Sequence, residues 1–135
     1  MALPYVQILV CAIASMAVGF IWYAPPVFGN MWMKWTGLDP KKMESGKKKM
    51  PVMMIVQFIF ALVLATIMSM MLTETAVATV TEGLSLGFWL WLGFVTTVLI
   101  GSVLWEGKPV KLFVLNSAYH LVNILVVTAI LVAWK

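Results

Sequence analysis

The sequence predicts an all-α integral membrane protein: four transmembrane helices in a compact bundle, with a short interfacial helix in the first cytoplasmic loop. Three observations carry this. Hydrophobic residues make up 63% of the chain and charged residues 10%, whereas ordinary soluble domains are about 25% charged. The charges fall between four long apolar stretches and not in their middles. The lysines are confined almost entirely to alternate connections, the asymmetry that orients membrane proteins.

A membrane-crossing helix needs about 20 consecutive, mostly apolar residues. Four stretches meet that requirement, at about 4–24, 51–73, 83–105 and 109–134, and together they make one membrane domain over residues 1–135. The first has no basic residue before it and is too long for the apolar part of a cleaved signal, so it reads as a retained span. The connection after it carries Lys34, Lys41, Lys42, Lys47, Lys48 and Lys49. The next holds Glu74 and Glu82 and no lysine, and the third holds Lys108 and Lys111. Connections one and three are therefore expected on the cytoplasmic side of the cell membrane, with both termini outside.

Within the first connection, Pro25-Pro26 ends the first helix, because proline lacks a backbone donor and clashes with the preceding turn. Phe28, Met31, Trp32, Met33 and Trp35 then crowd a short run, as in a helix lying at the headgroup level. Asp39-Pro40 has the form of an N-cap followed by a first-turn proline. The cluster Lys41, Lys42, Lys47, Lys48 and Lys49 serves as a topology signal or as a site for anionic lipid headgroups, each lysine contributing about 1 kcal/mol near the surface.

Small residues recur every fourth position in three spans: Cys11, Ser15 and Gly19; Ala61, Ala65 and Ser69; Gly93, Thr97 and Gly101. Such stripes allow helix backbones to approach closely in lipid. The short links between spans two, three and four favour antiparallel neighbours. A chain of four spans offers little room for an internal pathway, so a homo-oligomer is expected, most simply a two-fold dimer.

Most membrane-embedded polarity falls on one face. Asn116, His120 and Asn123 stand at i, i+4 and i+7 of span four. His120 lies roughly 16 Å past Pro109 at 1.5 Å per residue, near the bilayer middle. Gln57 of span two and Thr96 or Thr97 of span three reach similar depths. Exposure of polar groups to hydrocarbon is costly, so this layer is expected to face inward. Two roles stay open: interhelical hydrogen bonds worth about 0.6 kcal/mol each, or a proton or ligand site centred on His120, whose side chain titrates near physiological pH.

Other chemistry is poorly supplied. Cys11 is the single cysteine and His120 the single histidine, so neither a disulfide within the chain nor a metal centre is expected. No cofactor is expected. No nucleophile–base pair stands out, so an enzyme is not expected. The lysines adjoin spans and form no folded basic face, which argues against nucleic-acid binding.

The motif Gly19-x-x-Trp22-Tyr23-x-Pro25, followed by Phe28-Gly29-x-x-Trp32 and Gly37-Leu38, resembles the start of the small membrane family catalogued as domain of unknown function 1761. Glu106-Gly107-Lys108-Pro109, Lys111-Leu112-Phe113, and Asn116 with Tyr119-His120-Leu121 resemble its end. Lys108 stands where arginine is more usual, and Ala24 where serine or glycine is. The resemblance implies a four-span protein in one small domain, with no established activity or cofactor. It also implies that Trp22, Tyr23, Glu106, Asn116, Tyr119 and His120 belong together. Trp22, Tyr23, Glu106, Lys108 and Tyr119 would form a cytoplasmic vestibule leading toward Asn116 and His120. The functional expectation is a small oligomeric transporter or channel-like protein in contact with membrane lipids. The alternative is a structural or accessory subunit of a larger membrane complex.

Overall fold

The computed structural model describes residues 3–37 and 48–134, and all regular structure among them is helical. The expectations for Lys41, Lys42, Lys47 and the Asp39-Pro40 turn lie outside the described residues. Four helical stretches are long and apolar enough to cross a membrane: Tyr5–Trp22, Met50–Glu74, Val80–Leu104 and Val110–Ala133.

Helix α1 spans Tyr5–Trp22 with Tyr23 as its C-cap, and Ala24 beyond it has the extended backbone (φ −66°, ψ 140°) that a following proline demands. A π-helical turn over Pro25–Gly29 then leads into α2, Asn30–Thr36. That turn needs glycine at its end. A Cβ on Gly29 would collide with the carbonyl oxygen of Tyr23 and the carbonyl carbon of Ala24. Gly37 closes α2 at φ +73°, in the left-handed region that glycine adopts at helix ends.

Helix α3, Met50–Glu74, starts with Pro51 in its first turn, where a missing N–H leaves nothing unpaired. Helix α4, Val80–Leu90, begins at a cap the sequence reading did not identify. The Thr79 hydroxyl accepts from the Glu82 backbone N–H at 3.2 Å, and the Glu82 carboxylate accepts from the Ala78 N–H at 3.0 Å. The Thr-x-x-Glu spacing is that of a capping box. The third span then departs from a plain α-helix. A π-helical turn occupies Trp91–Val95, and two short segments follow, α5 (Thr96–Leu99) and α6 (Gly101–Leu104). After a turn with Gly107 at φ +68°, Pro109 precedes α7, Val110–Ala133.

Helix α7 is the hub. It packs extensively against α1 and α4 and less against α3, while α3 packs chiefly on α1. Two of the three small-residue stripes serve these contacts. Cys11, Ser15, Ala61, Ala65 and Ser69 are all buried. The third behaves differently from expectation. Gly93 meets open space and Thr97 is exposed. Span three instead approaches α7 through Gly83 and Gly87, one turn apart on α4, where Val132, Thr128 and Ile124 fill the space a side chain would take. Helices α3 and α4 barely touch despite their short link, because these glycines turn α4 toward α7.

The core sits toward the end of the molecule that holds the α3–α4 link. Cys11, Ala65, Val127 and Thr128 are 0% exposed there, and Met68, Leu72, Ile124 and Leu131 surround them. The other end, which carries Lys34, Lys48, Lys49, Lys108 and Lys111, is built differently.

Candidate functional site

At the lysine end the helices diverge around an open cavity of about 700 Å³. It is formed by α1 with the turn after it, α2, α3 and α7, and Leu99 of α5 also lines it. Helix α3 presents Met50, Met53, Met54 and Gln57, whose spacing of i, i+3, i+4 and i+7 puts them on one face. Helix α1 and the turn after it contribute Ser15, Met16, Gly19, Phe20, Tyr23 and Pro25. Helix α7 contributes Asn116, Tyr119 and His120, while Trp32 and Met33 come from α2. The wall is thus mostly thioether and aromatic, with a few amide, hydroxyl and imidazole groups.

The polar groups divide into two sets. Tyr23 and Asn116 satisfy each other: the phenol donates to the Asn116 amide oxygen at 2.6 Å. This bond ties the end of α1 to α7, and an aromatic cluster supports it. The Tyr23 ring lies 5.2 Å from that of Tyr119 and 5.8 Å, edge-on, from that of Trp32. His120 stacks edge-on against Tyr119 at 4.9 Å. By contrast, Gln57 and His120 make no hydrogen bond among the described residues.

Elsewhere five threonine hydroxyls close on their own helices, while the Ser117 hydroxyl is buried without a partner. Thr66, Thr73, Thr96, Thr97 and Thr128 each donate to the carbonyl four residues back. At the cavity, by contrast, Gln57 and His120 face open space with hydrogen-bonding capacity unused.

Removing the Tyr23 hydroxyl tests the α1–α7 tie. A Tyr23→Phe protein is expected to lose about 0.6–1.5 kcal/mol of stability, the range for one such bond. Thermal unfolding in a mild detergent measures it, and an unchanged midpoint would show that the bond contributes nothing.

The structure brings Tyr23, Tyr119, Asn116, His120 and Gln57 to one cavity and leaves other anticipated residues elsewhere. Trp22 packs behind the wall, its ring 4.6 Å from Phe28 and 6.5 Å from Tyr119, with its indole N–H buried and unpartnered. Glu106 and Lys108 stand exposed in the turn before α7 and do not line the cavity. Asn123 is buried about two turns deeper than Asn116, with its amide oxygen unpartnered. Thr97 was expected in the inward layer. It is exposed and bonds its own helix, on a face of span three that the π turn has rotated away from α7. Lys48 and Lys49 are exposed at the start of α3. Among the described residues no three of His, Cys, Asp and Glu come close enough to hold a metal ion.

The methionines are what sequence reasoning missed. Five of them line the cavity, and the 50/53/54/57 spacing on one helix face was a readable signal. A second, smaller groove of about 310 Å³ lies between α2 and the start of α7, lined by Phe28, Met31, Trp35, Val110, Lys111, Val114 and Leu115.

Four long apolar helices around a mainly apolar cavity with a few polar groups fit a polytopic membrane protein. The chain belongs to the family described as protein of unknown function DUF1761, whose profile matches residues 6–132. No curated protein and no solved structure matches it.

Proposed function

We propose that this chain is a membrane protein that binds a small ligand in the cavity around His120 and Asn116, in the manner of a small carrier. The observation that carries the reading is the open wall where the side chains of Gln57 and His120, on two different helices, face one space without hydrogen-bond partners among the described residues. Ligand sites are concave and mostly apolar, with a few convergent polar groups, and span 300–1,000 Å³. The packed half beyond the cavity, with Cys11, Ala65, Val127 and Thr128 at its centre, supports binding and release over an open channel. The lysine distribution supports an orientation with the cavity toward the cytoplasm and both termini outside. Helix α2, with Met31 and Lys34 exposed, then lies at the headgroup level, and Lys48 and Lys49 meet anionic lipid.

Cysteine accessibility tests site and orientation together. In a Cys11→Ser background, a Gln57→Cys protein is expected to react with a membrane-impermeant maleimide only when reagent reaches the cytoplasmic face. Reaction from outside alone would reverse the topology, and no reaction from either side would mean a dry, closed cavity.

One observation favours a partner as well. Trp89, Phe94 and Val98 on span three are largely exposed, beside the open Gly93 and Thr97. This supports pairing with a second copy, and the alternative is a larger membrane complex. A Gly93→Leu protein is expected to run as a monomer where the native chain runs as a dimer in mild detergent. Co-purification of the native chain with a different protein, and no dimer, would favour the accessory-subunit reading.

A further inference from the structure

Resting on the reading of the cavity as a ligand site, we infer that its ligand is an uncharged, compact molecule with an apolar body and a hydrogen-bonding head. Among the described lining residues there is no Asp, Glu, Lys or Arg. The nearest described lysines in sequence, Lys48 and Lys49, are exposed at the start of α3 and point to no closed ion site. An ion that loses its hydration in such a space finds no opposite charge among the described lining residues to replace it.

Polarity is unevenly distributed along the cavity. Counting 1.5 Å per residue from the helix starts, Gln57 lies about 10 Å along α3 and His120 about 15 Å along α7. Both are deeper than Met50, Trp32 and Met33, so the groups with open hydrogen-bonding capacity stand at the inner part of the cavity. Gln57 offers both a donor and an acceptor, and a neutral imidazole does the same. A carbonyl, amide or hydroxyl head meets these groups, while the body lies among methionines and aromatic rings. Methionine is unbranched and polarisable and adapts to flat or irregular apolar shapes.

About 700 Å³ suits one compact molecule, and phospholipids are set aside by their charged headgroups.

Three aromatic ketones of one skeleton test this: benzophenone, its trimethylammoniomethyl derivative and its carboxylate, 4-benzoylbenzoate. The photoexcited ketone takes a hydrogen atom from a nearby C–H, preferentially at methionine, and the two carbon radicals join, so the cavity supplies its own reporters. Native protein in lipid discs is irradiated with each probe, and adducts at Met50, Met53 and Met54 are quantified by mass spectrometry. Met70, 39% exposed and outside the cavity wall, reports general partition into the bilayer.

The expected result is saturable labelling of the three cavity methionines by benzophenone, at least tenfold above either charged ketone after normalisation to Met70. Gln57→Leu, a change at an exposed position, is expected to lower it at least threefold. Competition by monoolein, a single-chain neutral lipid, would assign the native ligand to neutral lipids, and its absence to free molecules of the same chemistry. Equal or stronger labelling by a charged ketone overturns the inference while leaving the cavity a ligand site. No saturable labelling by any of the three removes the site itself.

Discussion

Replacing Gly83 by leucine is expected to detach the third span from the rest of the chain and to destabilise the protein by about 3 kcal/mol, the upper end for overpacking. Gly83 is buried on α4 against α7. A Cβ there would stand 2.8 Å from Val132 Cγ2 and 3.1 Å from Thr128 Cγ2, closer than side chains tolerate. Neither neighbour has room to retreat, since Thr128 is fully buried and Val132 is in the core. In lipid no hydrophobic force holds two helices together, so close packing and polar contacts decide their association. Thermal or denaturant unfolding in detergent measures the loss. The contrast is Gly93, one stretch further along the same span, where an added side chain meets nothing within 4 Å. Gly93→Leu is expected to change the stability of the single chain by under 0.5 kcal/mol, as surface substitutions do. If Gly83→Leu unfolds as the native protein does, the assignment of this helix pair is wrong.

Filling the cavity is expected to abolish its use. Gln57 lies on the methionine face of α3 and is itself exposed. A Gln57→Trp side chain has space to enter and displaces no core residue. Saturable binding of a neutral aromatic ketone at Met53 and Met54 is expected to fall at least tenfold, with the unfolding midpoint unchanged. Because the packed half around Val127 is remote in sequence and depth from Gln57, loss of binding without loss of stability separates the site from the scaffold. Undiminished labelling would place the probe elsewhere on the protein.

The four long helices were legible because each is an uninterrupted apolar run whose start or end is marked by a proline or a charged connection. Pro51 and Pro109 open α3 and α7, and Pro25-Pro26 follows α1. The nearness of Tyr23 to Asn116 and Tyr119 was legible from the family resemblance alone, since depth counting sets Tyr23 level with Glu106. What periodicity could not supply was choice among equivalents. Span three offers glycines at 83, 87, 93 and 101, and a spacing rule ranks them alike. The structure selects Gly83 and Gly87 because the Thr79–Glu82 cap extends the helix back to Val80 and brings them opposite Thr128. The cavity was illegible for a different reason: it is a volume left over where helices diverge, and no residue encodes it alone. Its methionine face was readable, yet methionines in an apolar chain pass as filler until a void beside them is seen.

The π turn at Trp91–Val95 has a geometric consequence for everything after it. Such a turn carries one residue beyond the α repeat, and each residue of an α-helix advances the side-chain direction by about 100°. The turn therefore acts as a phase shifter. The pattern that faces α7 through Gly83 and Gly87 is rotated by more than a quarter circle beyond Val95. Thr97 is swung outward by that offset. One inserted residue thus changes which face of a single apolar stretch packs against its own chain.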